Sequence, residues 1–380
     1  HGDELLRQVS SRVRGCLRPA DTPARMGGDV FAILLEDVDD QSLIEVAERI
    51  VDCFREPFLI SGTEVRVKGS LGVATNSGGE SDAEDLLRNA DVAMYTAKSG
   101  GKGRFASFQP QMHAEMMRRH SLKEELELAI ERDEFIVEYQ PITLLMTGET
   151  VALEALVRWE HPSRGRIAPG EFIPLAEETG LIVPIGRIVL GKACQLARQW
   201  DDAHPGRAPT GIHVNASAAE LEEPDLVHHV TKAIEDAGID PSQLVVEITE
   251  SLLIADTPVR IARLDELRRA GVRLALDDFG TGYSSLSYLR SFPIDTLKID
   301  RSFVADIATT TDNGAIVTAI IAMARSLKLG VVGEGVETEQ QRAFLQQHGC
   351  TLAQGHLFCV PLPASELERW MRMRYAQTAG

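Results

Sequence analysis

Eight short apolar segments recur between residues 135 and 355, and stretches long enough for a helix separate all but the first two. The predicted strands cover residues 135–141, 151–158, 212–216, 244–248, 273–278, 296–299, 330–334 and 351–355. Only a short turn at Thr147 and Gly148 joins the first pair. A parallel crossover takes about a dozen residues or more, so the first strand is expected to run antiparallel to the second.

Strands that alternate with helices predict an α/β fold, and eight of them predict a closed TIM-like (β/α)8 barrel with an antiparallel first strand. Residues 1–108 also alternate, with helical patterns at 5–13, 44–54 and 86–97 and strand patterns at 31–35 and 65–74. Gly27 and Gly28 predict a hairpin tip with positive φ. The chain begins inside a helix without a strand before it, so this first domain is expected to be partial.

Residues 109–131 carry apolar side chains among charged ones and predict a connecting helix, either a passive spacer or a transmitter of motion between domains. The 380 residues, 44% of them hydrophobic, suffice for two cores. No apolar run reaches the roughly 18 residues of a membrane span, and the first residues do not resemble a signal peptide. We therefore expect a cytoplasmic protein, or the cytoplasmic part of a larger sensor.

Charge and cysteine content exclude two further classes. A net charge of -18 argues against non-specific nucleic-acid binding, which depends on clustered Lys and Arg. The five cysteines form no CxxC pair, so thiols in a reducing compartment explain them better than disulfides or a zinc site. A small phosphorylated ligand stays compatible with this charge if metals and a few local bases offset it.

Two adjacent acids, Asp277 and Asp278, end the fifth predicted strand of the barrel. Neighbouring strand residues point to opposite faces, but a turn at the strand end can bring both carboxylates to one site. Because they would repel each other there, a divalent metal is their natural partner. The alternative is an acid pair that caps a helix. Gly280 and Gly282 then allow close backbone approach or hinge motion.

Chemistry in a barrel gathers at the carboxyl ends of its strands. Seven of the predicted strands place polar residues there, and the set is Glu154, Arg158, Asn215, Glu247, Glu250, Asp277, Asp278, Lys298, Glu334 and Gln354. Any one of these residues alone is more readily explained as a surface or capping residue. Polar residues at the ends of seven strands are hard to explain by chance. Carboxylates with an Asn suit Mg²⁺ or Mn²⁺ better than zinc, and the Lys and Arg indicate an anionic substrate.

The first domain resembles the GGDEF (diguanylate cyclase) family through RPAD (18–21), RMGGDVF (25–31), SLGVA (70–74) and ADVAMYTAKSGGKGRF (90–105). Val30 replaces an acid of the signature, and the leading strand that carries further metal ligands is absent. A cyclase needs those carboxylates to hold metal on GTP, so the resemblance implies a degenerate, regulatory or structural domain. It also implies two candidate ligands: GTP, and cyclic di-GMP at Arg18 and Asp21.

Seven motifs follow one another in the barrel region: EALVRW (154–159), NAS (215–217), EITES (247–251), DDFGTGYSSL (277–286), LKID (297–300), EGVET (334–338) and QG (354–355). Through them, residues 118–373 resemble the EAL family of cyclic di-GMP phosphodiesterases. No signature acid is missing. The departures are Gly333, where Ala is frequent, and His356, where an aromatic is usual; the latter could alter base stacking.

The EAL resemblance implies a site with two Mg²⁺ or Mn²⁺ ions. Glu154, Asn215, Glu247 and Asp277 would hold one ion, and Asp277 would bridge to a second near Asp278 and Glu334. Lys298 would orient or help deprotonate the attacking water, Gln354 would hold a water or ligand, Arg158 would contact phosphate, and Glu250 would anchor the loop at 279–285. Glu154, Lys298 and Glu334 are the candidate catalytic residues.

The function implied is metal-dependent hydrolysis of cyclic di-GMP to linear pGpG, with the first domain regulatory. The alternatives are a receptor that binds cyclic di-GMP without cutting it, and an enzyme for another phosphodiester. Receptors of this type typically lack signature acids, and this chain keeps them, which favours an enzyme. The resemblance also allows a homodimer formed through the EAL domain.

Overall fold

The protein is described here from a computed structural model, which covers residues 2–76, 82–204, 211–254, 258–281, 292–307 and 311–378. The chain divides into two compact units, His1–Ser121 and Leu122–Gly380. Among the described residues, no helix combines the length and the apolar character needed to cross a membrane.

The first unit contains helices and short strands in alternation. Its strands are β1 (Thr22–Gly27), β2 (Val30–Leu34), β3 (Phe58–Ile60), β4 (Thr63–Val65), β5 (Leu71–Val73) and β6 (Phe105–Ser107), and its helices are Gly2–Gly15, Asp40–Asp52 and Ala83–Ser99. β1 and β2 form an antiparallel hairpin with φ of 148° at Gly27 and 52° at Gly28. The predicted hairpin tip and the three predicted helices are therefore confirmed.

The single strand predicted over residues 65–74 was wrong. β4 ends at Val65 and pairs with β3 across a turn in which Ser61 and Gly62 both have positive φ, whereas β5 begins at Leu71 and pairs in parallel with β6. The continuous pattern thus belongs to two strands with different partners. At Gly72 of β5 a Cβ would lie 1.9 Å from the carbonyl oxygen of Ala90. The Ala83–Ser99 helix therefore packs so closely on β5 that only glycine fits at this position.

One helix covers Gln111–Glu131, where a connecting helix was predicted. Its last half buries Leu122, Leu126 and Ala129, three residues at helical spacing that join the core of the second unit. The helix ends before the turn that leads into the first barrel strand.

The second unit consists of a barrel and its surrounding helices. The strands are β7 (Phe135–Leu144), β8 (Thr150–His161), β9 (Gly165–Ile167), β10 (Gly211–Asn215), β11 (Leu244–Thr249), β12 (Arg273–Phe279), β13 (Thr296–Ile299), β14 (Gly330–Gly333), β15 (Leu352–Ala353) and β16 (Leu362–Pro363). The helices are Pro169–Thr179, Ile182–Ala203, Ala218–Glu222, Leu226–Ala237, Glu250–Ile254, Pro258–Arg269, Arg301–Ala305, Thr311–Ser326, Glu339–Gln347 and Ala364–Thr378, with a 3-10 turn at Pro241–Gln243.

Eight of these strands close into a ring in the order β7, β8, β10, β11, β12, β13, β14 and β15. β7 is antiparallel to both of its neighbours in the ring, β8 and β15, and the other neighbouring pairs are parallel. The predicted barrel with a reversed first strand is confirmed. The eighth strand is shorter than predicted, and β9 and β16 are additional strands that pair outside the ring.

The barrel wall and helices bury a continuous apolar core that includes the mutually packed rings of Phe135, Trp159 and Phe172. The barrel strands also bury polar and charged residues, among them Glu154, His213, Glu247, Asp277 and Lys298. Burying charge is costly unless it is paired, so this polar group marks the part of the barrel where function is expected to lie.

Candidate active site

Lys298 forms the centre of the polar group inside the barrel. Its side chain is fully buried on β13, and its Nζ lies 2.7 Å from Glu247 and from Glu334. Glu154 and Asp277 follow at 3.3 and 3.4 Å. Four carboxylates from four strands or strand ends thus converge on one ammonium, as expected for residues at the carboxyl ends of barrel strands.

Glu154 is held by two amides in addition to Lys298. Asn215 donates from Nδ2 to Oε1 at 3.0 Å, and Gln354 donates from Nε2 to Oε2 at 2.6 Å. The other amide atom of Gln354, Oε1, is buried without a hydrogen-bond partner in the described structure. A buried carbonyl left unpaired costs free energy, which fits a site that receives a further donor such as water or a ligand.

Asp277 and Asp278 both reach the site because the end of β12 is irregular. Asp278 has a φ of +53°, and the pairing of β12 with β13 shifts register between Leu276 and Phe279. This bulge breaks the alternation that would send the two carboxylates to opposite faces. One oxygen from each of Asp277, Asp278 and Glu334 lies within 4.8 Å of the others, a spacing that could hold a metal ion.

The carboxylates of the site outnumber the positive charges near them, since Lys298 is the one ammonium in their midst among the described residues. Burial raises the pKa values of Glu247 and Glu334 well above their ordinary range. The charge of Lys298 lowers these pKa values only in part, and the neighbouring carboxylates raise them further. Burial and the neighbouring Asp277 raise the pKa of Asp278 to about 6. Carboxylates that resist ionisation next to a single ammonium fit a divalent cation well.

The pKa values of Glu154 and Lys298 shift in the direction that favours the charged form of each group. Burial alone would raise the pKa of Glu154, but Lys298 and the amides of Gln354 and Asn215 outweigh it, so this pKa is lowered. Burial likewise opposes the charge on Lys298, but the surrounding carboxylates raise its pKa well above the ordinary value. Lys298 therefore holds its proton in this arrangement, and its predicted role towards the attacking water stays a prediction.

Arg158 lies on β8, four residues beyond Glu154, and is already paired. Its Nε donates to Glu138 at 2.8 Å, and Arg166 contacts the other oxygen of the same carboxylate. About 16% of the Arg158 side chain is exposed, and the contact with Glu138 holds the guanidinium in place. Its predicted contact with a substrate phosphate stays a prediction.

Glu250 contacts the start of the predicted loop. It is buried and accepts a hydrogen bond at 2.7 Å from the backbone N–H of Gly280, which has a φ of +105°. Thr281 in turn donates to the carbonyl of Asp278. Residues 282–291, with the remainder of the motif, lie outside the described residues, so the anchoring role is described only for this first contact.

The structure places Arg18 and Asp21 in the first unit, in a tight turn between the first helix and β1. Asp21 is buried and accepts a 2.7 Å hydrogen bond from the backbone N–H of Arg18, whose side chain is exposed. Asp21 thus fixes the turn itself. Binding of cyclic di-GMP there stays a prediction.

Three residues of the site were missed by sequence reasoning. His213 contacts Glu247 at 2.6 Å, Gln140 accepts from Gln354 at 2.8 Å, and the charge of Asp300 helps to raise the pKa of Asp278. Burial and then Lys298 lower the pKa of His213 to about 3, so its imidazole is neutral. His213 could have been found from alternation, because it lies two residues before Asn215 and so on the same face of its strand.

Residues 123–361, more than half of the chain, match the family model described as the EAL domain. This chain belongs to the EAL domain family. Residues 1–104 match the model described as the diguanylate cyclase, GGDEF domain. Both resemblances seen in the motifs are therefore confirmed.

Among curated relatives of this EAL domain chain is the bifunctional diguanylate cyclase/cyclic di-GMP phosphodiesterase MucR of Pseudomonas aeruginosa. It is 43% identical over 366 residues, which are 96% of this chain and 53% of MucR. The cyclic di-GMP phosphodiesterase PdeR of Escherichia coli is 39% identical over 378 residues, covering 100% of this chain and 56% of PdeR. The chain thus spans about half the length of these relatives.

Solved structures extend the comparison to the EAL barrel. The PaMucR phosphodiesterase in its c-di-GMP complex matches with a TM-score of 0.62 and 45% identity, covering 65% of this chain and 99% of that chain. The FimX EAL domain from Pseudomonas aeruginosa bound to c-di-GMP matches with a TM-score of 0.57 and 25% identity, covering 63% of this chain and 96% of that chain.

The raised carboxylate pKa values predict a pH-dependent response to metal. The folded pKa of Asp278, about 6, exceeds its ordinary 3.8, so its contribution to stability is present below pH 4 and lost as the pH rises through 6. A bound cation should offset that loss. We expect Mn²⁺ to raise the melting temperature of the barrel more at pH 7.5 than at pH 5. Equal shifts at both values, or an unchanged pH dependence in Asp278→Asn, would contradict this.

Proposed function

We propose that the barrel hydrolyses cyclic di-GMP to linear pGpG with two Mg²⁺ or Mn²⁺ ions. The observation that carries the proposal is the convergence of Glu154, Glu247, Asp277 and Glu334 on Lys298. The proposed substrate is taken from the relatives MucR and PdeR, both of which are named as cyclic di-GMP phosphodiesterases. The raised pKa values of Glu247, Glu334 and Asp278 support a cation at this place.

In this proposal the chain's own residues divide into metal holders and substrate holders. Glu154, Asn215, Glu247 and Asp277 would hold one ion, and Asp277, Asp278 and Glu334 a second. When bound, the pair supplies Lewis-acid activation of water and stabilisation of the leaving oxygen. Lys298 keeps the carboxylates together through its charge and orients the attacking water by donation from Nζ.

The remaining groups would act on the substrate. Arg158, kept in place by Glu138, offers a guanidinium to one phosphate of the ligand. Gln354 offers its unpaired Oε1 to a water or to a ligand donor. Glu250 holds the backbone of Gly280 and so fixes the beginning of the loop that follows the metal ligands.

The deciding experiment incubates the purified chain with cyclic di-GMP and Mn²⁺ and separates the products by chromatography. The proposal expects pGpG to accumulate as cyclic di-GMP disappears. Binding of cyclic di-GMP without pGpG would identify a receptor instead. Hydrolysis of other phosphodiesters but not of cyclic di-GMP would be consistent with the proposed metal site and would contradict the proposed substrate.

The oxygen ligands of the site predict its metal preference. Mg²⁺ and Mn²⁺ should support turnover, whereas Ca²⁺ is larger and accepts looser geometry, so it should bind and support little or none. The measurement is the rate of pGpG formation in a metal series after chelation. Brisk hydrolysis with Ca²⁺ alone, or activity that survives excess chelator, would contradict the site as proposed.

The first unit is expected to make no cyclic di-GMP from GTP, because Val30 takes the place of a metal-binding acid. The assay should use the chain carrying Glu154→Gln, so that the barrel does not consume a product. Cyclic di-GMP formed from GTP in this variant would refute the prediction.

We further propose that the first unit regulates the barrel and that GTP is a candidate effector. The Gln111–Glu131 helix, which leads from one domain to the next along the chain, motivates this proposal. The measurement is the rate of cyclic di-GMP hydrolysis by the full chain over a saturating range of GTP. An unchanged rate would count against regulation by GTP.

A further inference from the structure

His213 is a buried histidine inside the barrel that the proposed mechanism leaves without a role. It lies on β10 two residues before Asn215, so both side chains share one face of the strand. Asn215 pairs in register with Glu247, which places His213 one layer further into the barrel. Branched apolar side chains dominate the interior of such barrels, and an imidazole at this position therefore calls for an explanation.

The contacts of His213 connect it to a proposed metal ligand. Its Nδ1 lies 2.6 Å from Oε1 of Glu247, and the other oxygen of that carboxylate, Oε2, lies 2.7 Å from Nζ of Lys298. In the proposed metal-bound state Glu247 is ionised and only accepts hydrogen bonds, so the imidazole would then carry its proton on Nδ1 and act as the donor. Glu247 is thereby held at both oxygens and cannot rotate about its terminal bond. Each oxygen keeps a second lone pair for another partner.

We propose that His213 is a positioning residue that orients the Glu247 carboxylate to receive a divalent cation. This inference rests on the proposed function, in which Glu247 is a metal ligand. The imidazole suits this task because its Nδ1 lies within hydrogen-bond distance of Oε1 of Glu247, while Lys298 holds Oε2. Hydrogen-bond partners of metal ligands fix ligand orientation, and their loss typically weakens metal binding about 10- to 100-fold.

The test compares three chains: the parent, His213→Leu and His213→Asn. Leucine fills much of the imidazole volume but leaves Oε1 of Glu247 without its donor, whereas asparagine can place an amide N–H near the position of Nδ1. Mn²⁺ binding is measured directly, without substrate, by calorimetry and by the electron paramagnetic resonance signal of free Mn²⁺. Circular dichroism and thermal unfolding check that each variant is folded.

The inference expects His213→Leu to bind Mn²⁺ about 10- to 100-fold more weakly, and His213→Asn to stay within a few-fold of the parent. With cyclic di-GMP, saturating Mn²⁺ should restore much of the lost rate in His213→Leu. Wild-type Mn²⁺ affinity in folded His213→Leu would overturn the inference, and so would equal losses in the two variants, which indicate a packing role. If His213→Leu does not fold, His213→Ala is judged by the same titration.

The Mn²⁺ titration also separates this inference from the proposed function. A parent chain that binds Mn²⁺ but leaves cyclic di-GMP intact would refute the hydrolase proposal, and the His213 comparison could still be read. A parent chain that binds no Mn²⁺ would overturn the positioning role itself.

Discussion

Replacing Glu154 with glutamine should lower the rate of cyclic di-GMP hydrolysis by about a thousandfold, the order of loss seen when one electrostatic contact to a transition state is removed. Glu154 accepts hydrogen bonds from Asn215 and Gln354 and contacts Lys298. Glutamine keeps the shape of the side chain but removes the negative charge that Glu154 would bring to the metal. The measurement is kcat for pGpG formation at saturating Mn²⁺, with Mn²⁺ binding measured in parallel.

Two matched variants show whether the effect of Glu154→Gln is specific. Glu149→Gln changes an exposed carboxylate just before the start of the same strand and should leave kcat unchanged. Arg158→Ala should raise KM with little change in kcat if the guanidinium binds substrate and transition state equally. Full turnover by a folded Glu154→Gln chain would mean that the carboxylates inside the barrel are structural.

The barrel topology could be predicted from the sequence because its determinants are local. Each buried strand shows as a short apolar run, and the turn at Thr147 and Gly148 is too short for a parallel connection. The strands of the first unit were harder to predict. β4 and β5 differ in their pairing partners, and partners in a sheet are set by tertiary contacts that a local pattern does not contain.

The site shows the same division between what is local and what is not. Position at the strand ends identified the residues that surround Lys298, since the fold brings all such ends together. It could not reveal that Asp278 adopts a φ of +53°, on which the approach of both aspartates depends. Nor could it reveal that Glu138 binds Arg158, because that pair forms between neighbouring strands, 20 residues apart in the chain.

Lys298→Met should destabilise the metal-free barrel by about 3–5 kcal/mol near neutral pH, the typical cost of removing one partner from a buried ionic group. Methionine matches the length of lysine but leaves Glu154, Glu247, Asp277 and Glu334 facing one another without a counter-charge. The measurement is the free energy of unfolding from denaturant titration of the barrel transition, with metal removed by chelation.

The pH dependence of Lys298→Met tests the electrostatic cause. Without the ammonium, the already raised pKa values of Glu247 and Glu334 should rise further, so the folded barrel is most stable when they are protonated and loses stability as the pH rises through those values. The deficit should therefore shrink at pH 5 and when Mn²⁺ is added at pH 7.5. Lys123→Met, which removes an exposed ion pair with Glu127, should cost less than about 1 kcal/mol at either pH. If the loss of unfolding free energy in Lys298→Met depends neither on pH nor on Mn²⁺, its cause is lost packing. That result would contradict the proposal that the buried carboxylates form a metal site.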